Sequence, residues 1–123
     1  MESLLKEEGS AVSDQPDIHW EGQSGKEYGY WIVVPERGMR FVREAGNFIA
    51  ARKLKSGIWE PLFVGQAEDL DAALPGLLEQ PCIEAEHGTH LHVHPGPSDE
   101  QARLEEARDI IVLWSPVCNA SAD

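Results

Sequence analysis

From His87 to Gly96 the chain reads HGTHLHVHPG and alternates strictly between polar and apolar residues around Leu91 and Val93. A period of two belongs to a strand, so Leu91 and Val93 face one side of a sheet and His90, His92 and His94 the other. Pro95-Gly96-Pro97 stops that strand, because proline has no N–H for a ladder. The period then changes. In SDEQARLEEARDIIVLW, residues 98–114, Leu104, Ala107, Ile111 and Trp114 recur at helical spacing with Ile110 beside them. Ser98 and Gln101 have the spacing of a capping box, and Pro116 ends the helix.

Upstream, DIHWEGQSGKEYGYWIVVP holds two β-rich runs around Gln23-Ser24-Gly25, which reads as a hairpin ended by Pro35. ERGMRFVREAG is a loop or a short irregular element. GNFIAARKL and WEPLFVG flank Lys55-Ser56-Gly57 and form a second antiparallel hairpin. In AEDLDAALPGLLEQ, Leu70, Ala73, Leu74, Leu77 and Leu78 fall on one helical face. Pro75 interrupts it, and either ends the helix at Leu74 or opens a second short one. The order predicts an α+β domain, a small antiparallel β-sheet flanked by helices. Residues 1–16 read as a flexible tail, 17–119 as a single domain and 120–123 as a second tail. Within the domain, 17–45 is an N-terminal hairpin extension added to a core at 46–119.

The chain carries a formal net charge of −12, unevenly spread. Between Arg37 and Lys55 stand six basic residues and one acidic, Glu44; from Ser56 to Ala102 there is no Lys or Arg and nine carboxylates. Nucleic-acid affinity comes mostly from cations on phosphates, so a large duplex footprint is not expected. Arg52, Lys53 and Lys55 could hold a few phosphates weakly, or form a solvated hairpin surface. No apolar run approaches the ~18 residues a membrane span needs, and the N-terminus does not read as a secretory signal. A cytoplasmic location is expected. Cys82 and Cys118 form no CxxC pair; they read as small buried hydrophobes, and a disulfide between them is possible but unsupported. His90, His92 and His94 on one strand face could bind zinc or copper, but the pattern is already explained by the groove or solvent face of a half-buried strand, and no metal site is expected. Trp20, Trp31 and Trp59 could stack bases, though such rings more often pack sheets.

Taken in order, Gly46-Asn47-Phe48, Phe63-Val64-Gly65, Gln66-Ala67-Glu68-Asp69-Leu70, the helix to Trp114 and Pro116-Val117-Cys118-Asn119 resemble the GIY-YIG endonuclease superfamily, over about Gly46 to Asn119. The resemblance implies a site with a signature-strand tyrosine that helps activate water, a helix arginine at the scissile phosphate, and a glutamate holding a divalent metal. Aligned this way, the tyrosine positions are Phe48 and Phe63, the arginine is Ala73 and the glutamate is Ala107; Asn119 alone is retained. Glu106 is the fallback acid, one residue and about 100° of helix away from Ala107.

The resemblance therefore implies a degenerate member that binds a protein partner, or nucleic acid weakly, and does not cut it. No cofactor is expected; Mg²⁺ would serve only the alternative, a nuclease with displaced catalytic residues, which requires a carboxylate near a tyrosine and an arginine. A further alternative is an acidic inhibitor that imitates nucleic acid. If the resemblance holds, Phe48, Phe63, Ala73, Ala107 and Asn119 line one groove.

Overall fold

The structure is a computed structural model describing residues 15–120. The expected tails at 1–16 and 120–123 lie largely outside the described residues. Strands β1 (Ile18–Glu21), β2 (Glu27–Val33), β3 (Gly46–Lys53), β4 (Trp59–Ala67) and β5 (His90–Pro95) form one sheet in the order β1-β2-β5-β3-β4. All neighbours are antiparallel. Helices α1 (Leu70–Ala73), α2 (Pro81–Ala85), α3 (Glu100–Trp114) and α4 (Val117–Ala120) and a 3₁₀ turn (Leu77–Glu79) complete it.

Both expected hairpins form. The second closes on Leu54 N–H donating to Ile58 O at 2.8 Å, with Gly57 at φ +91°, a conformation that L side chains rarely adopt. β5 then enters between the hairpins: His92 is opposite Ile32 on one side and Ile49 on the other. The N-terminal hairpin is thereby part of the same sheet, and its Trp20 and Tyr30 are core residues.

Alternation sorts the side chains into two cores. Phe48, Ala50, Leu91 and Val93 join Leu62, Leu70, Leu74, Ile83 and Cys118 on one face, beneath α1, α2 and the 3₁₀ turn. Ile49, Ala51 and Val64 join Trp20, Tyr30, Ala107 and Ile110 on the other, beneath α3. A register shift between Ala50 and Ala51 leaves one extra residue in β4, and such a bulge lets Leu62 and Val64 serve opposite faces. Gly46 is required at the β3–β5 crossing: a Cβ there would lie 2.6 Å from His94 O and 2.7 Å from Leu70 Cδ1.

Four local expectations need correction. Leu70 to Leu78 is not one helical face: α1 stops at Leu74, Pro75-Gly76 turns the chain with Gly76 at φ +80°, and Leu77 and Leu78 enter a 3₁₀ turn. The α3 cap is Asp99, whose carboxylate accepts from Ala102 N–H at 3.2 Å. The buried face of α3 is Arg103, Glu106, Ala107 and Ile110, whereas Leu104 is 45% and Trp114 42% exposed. The helix has turned toward polar groups offered by the sheet, which hydropathy periodicity does not register. Finally, Cys82 and Cys118 are joined by a disulfide with Cα atoms 5.8 Å apart. They are 36 residues apart in sequence, so the pairing exists only through the fold.

Candidate functional site

One rung of the sheet is polar almost throughout. In β3, Asn47 stands opposite Gln66 of β4 and His94 of β5, and the ring of Tyr30 in β2 lies 5.5 Å from that of His94. Asn47 and Tyr30 are fully buried. Over this rung α3 lays Arg103 and Glu106, three residues apart and so one above the other on a helix. They are 1% and 5% exposed.

Burying charge is expensive unless hydrogen bonds replace water, and here they do. The Tyr30 hydroxyl donates to Glu106 Oε2 at 2.6 Å, and His94 Nδ1 lies 2.9 Å from the same oxygen. A carboxylate oxygen accepts, so Nδ1–H donates in this pair, from a His94 side chain that is 26% exposed. Arg103 Nε donates to Gln66 Oε1 at 2.9 Å, and Nη1 donates to Pro97 O and Ser98 O at 3.0 and 2.8 Å. Asn47 Nδ2 donates to Arg103 O at 2.9 Å. Arg103 thus clasps the β5–α3 loop through neutral acceptors, and Glu106 is held by the Tyr30 hydroxyl and the His94 ring.

The adjoining rung is aromatic. Trp20 Nε1–H donates to His92 Nδ1 at 2.9 Å, and the Trp59 ring meets those of His90 and His92 edge-on, each at 4.7 Å. Burial, and then the neighbouring His90, push His92 down to about 3, so the ring is neutral at ordinary pH. The Asn47 Oδ1 and His92 Nε2 atoms are buried without a hydrogen-bond partner. Of the three histidines that could line a solvent or groove face, His92 is fully buried, while His90 and His94 are half-buried. Their rings have separate partners: Thr89 for His90, Trp20 for His92 and Glu106 for His94. Among the described residues no group of three or more His, Cys, Asp or Glu could hold a metal ion.

The chemistry open to this row is narrow. Burial and the Glu106 carboxylate hold the Tyr30 phenol well above its ordinary range, so it cannot supply a phenolate base near neutrality. On the flank, Asp109 accepts from Ser24 N–H, Ser24 Oγ–H and Tyr28 Oη–H. Burial and that bond push Tyr28 up to about 12. This ties α3 to the first hairpin.

The positions implied by the GIY-YIG resemblance divide. Phe48 and Phe63 are in contact, with ring centroids 6.2 Å apart, and Ala73 packs against the same core. Ala107 lies in the other core, across the sheet. Asn119 sits at the β4 edge, where its side chain accepts from Val64 N–H at 2.8 Å and donates to Val64 O at 2.9 Å. The five do not line one groove. The fallback Glu106 is the residue that faces inward. Of the basic candidates, Arg52 pairs with Glu60 at 2.6 Å, Lys53 stands over the Trp59 ring and Lys55 is exposed. Tyr30, Asn47, Gln66 and Arg103 were not singled out by the sequence; the signal that could have found them is the His94 rung itself, extended across neighbouring strands. Compared with known proteins, the chain matches no family model, no curated protein and no solved structure.

Proposed function

We propose that this chain is a binding domain that does not cleave nucleic acid, and that its partner is a protein. One observation carries the first half: the two charges of the row under α3 are buried and spent on neighbours within the fold. Glu106 is engaged by Tyr30 and His94, and Arg103 by Gln66 and two carbonyls. Both are at least nine-tenths buried, which leaves little of either charge to polarise a phosphate or seat a metal ion. This support is independent of the GIY-YIG resemblance.

The partner follows from charge and exposed surface. Several cations are already engaged: Arg40 and Arg43 with Asp71, and Arg52 with Glu60. A duplex would have to displace these pairs against a net charge of −12. The end of α3 instead presents Val112, Leu113, Trp114 and, just beyond, Val117, each 40–53% exposed, the type of surface proteins cover.

A second reading has one specific observation in its favour. Glu106 is bonded to a tyrosine and lies one helical turn from an arginine, the residue types a displaced nuclease site would use. The test that separates the readings is a cleavage assay on single- and double-stranded DNA and RNA with magnesium or manganese. The binding-domain reading predicts intact substrate. Metal-dependent cleavage that follows the protein through two columns and vanishes in Glu106→Gln establishes the second.

A further inference from the structure

We propose that the Cys82–Cys118 disulfide is a redox clasp that holds α4 over the exposed edge of the sheet. Three observations meet at this point. β4 ends the strand order and runs from Trp59 to Ala67, so it is a long edge. Such edges invite pairing with another chain unless something covers them. Here the cover is α4: Asn119 places its amide against Val64 N–H and Val64 O as a neighbouring strand's peptide would. The residue before Asn119 is Cys118, and its disulfide runs to Cys82 in α2.

The clasp is open to a small reductant. A cavity of about 280 Å³, lined by Phe63, Leu77, Gln80 and Ile83 among others, reaches both cysteines, and Cys82 is half-buried rather than sealed. A low-molecular-weight dithiol supplies the electrons. Its thiolate attacks Cys82 Sγ, the Cys82–Cys118 bond breaks, and the Cys118 thiolate leaves and takes up a proton. The second thiol of the reductant then attacks its own sulfur in the mixed disulfide, closing the oxidised reductant and releasing Cys82 as a thiol. Two electrons move and two cysteine thiols are formed. With the bond gone, four-residue α4 keeps the packing of Pro116 and Cys118 and the Asn119–Val64 pair, but no longer has a covalent tie to α2. A four-residue terminal segment without that tie opens on its own, ahead of the domain.

The test is amide hydrogen exchange on the full chain, oxidised and then reduced with dithiothreitol. Val64 N–H, bonded to Asn119, reports the edge; Ile49 N–H in central β3 reports the fold. Reduction is expected to speed Val64 exchange by at least about tenfold, within the range of a lost disulfide's effect, and to leave Ile49 within about twofold. Reoxidation restores the slow rate. Asn119→Ala, oxidised throughout, speeds Val64 as well, because it removes the acceptor without touching the sulfurs. Unchanged Val64 exchange after reduction confirmed by thiol titration overturns the clasp. So does equal acceleration of Val64 and Ile49, because the disulfide is then a staple of the whole domain.

Discussion

Glu106→Ala tests which face of α3 is buried. The carboxylate is 5% exposed and accepts at 2.6 Å from a fully buried phenol. Truncation leaves the Tyr30 hydroxyl and His94 Nδ1 without their acceptor. A buried donor left unmatched costs about 1–3 kcal/mol, and breaking a buried charged network commonly costs about 3–5 kcal/mol in total. For a domain this size each kcal/mol lowers Tm by roughly 4–8 °C, so Glu106→Ala is expected to lose on the order of 15 °C or more. Glu106→Gln keeps an acceptor for Tyr30 and gives up the charge, about 1–2 kcal/mol. Leu104→Ala is the counter-test, because Leu104 is 45% exposed and should cost about 1 kcal/mol or less. Urea titrations monitored by tryptophan fluorescence rank the three. The order Glu106→Ala, Glu106→Gln, Leu104→Ala is expected. If Leu104→Ala costs more than Glu106→Ala, α3 is packed on its apolar stripe and the polar row does not exist.

Acid should weaken the fold through His92. Its folded-state value of about 3 lies below the ordinary 6.5, so the unfolded chain takes up a proton that the native ring refuses, and stability falls as pH drops from 6.5 toward 3. Between pH 7 and 4.5 this is about 2–3 kcal/mol; His92→Gln, which can still accept from Trp20, should lose that part of the slope, and an unchanged slope contradicts a buried neutral ring. Binding to a labelled DNA duplex at physiological salt should be weaker than about 10⁻⁶ M by fluorescence anisotropy. Any residual binding should disappear in Arg52→Glu/Lys53→Glu, and tighter binding speaks against a protein partner.

Much of the fold was legible because period and punctuation act locally. Gly25 and Gly57 mark the two hairpins, and Pro95-Gly96-Pro97 marks the exit of β5. The alternation of His90 to His94 correctly separates two faces. What the sequence hid is non-local. A hydropathy stripe favours Leu104 and Trp114, yet the helix faces Arg103 and Glu106 inward because Gln66, Tyr30, His94 and the Pro97 and Ser98 carbonyls are there to meet them. That complementarity spans four strands and cannot be seen along any one. The disulfide and the strand-like use of Asn119 are likewise products of the assembled fold. The positions aligned with the GIY-YIG motifs were chosen by their order along the chain, and order says nothing of which side of the sheet each element covers; α3 covers the side away from Phe48 and Phe63.

The buried polar row under α3 carries the proposed reading, and manganese tests it most directly. Added to isotope-labelled protein at millimolar levels, a paramagnetic ion broadens the NMR signals of whatever carboxylate binds it. Signals of Glu106, Tyr30 and His94 should broaden no more than those of Ile49 and should show no saturation. Saturable broadening centred on Glu106, reversed by a chelator and absent in Glu106→Gln, would mean that the row opens to a metal ion and that the domain has the means to cut.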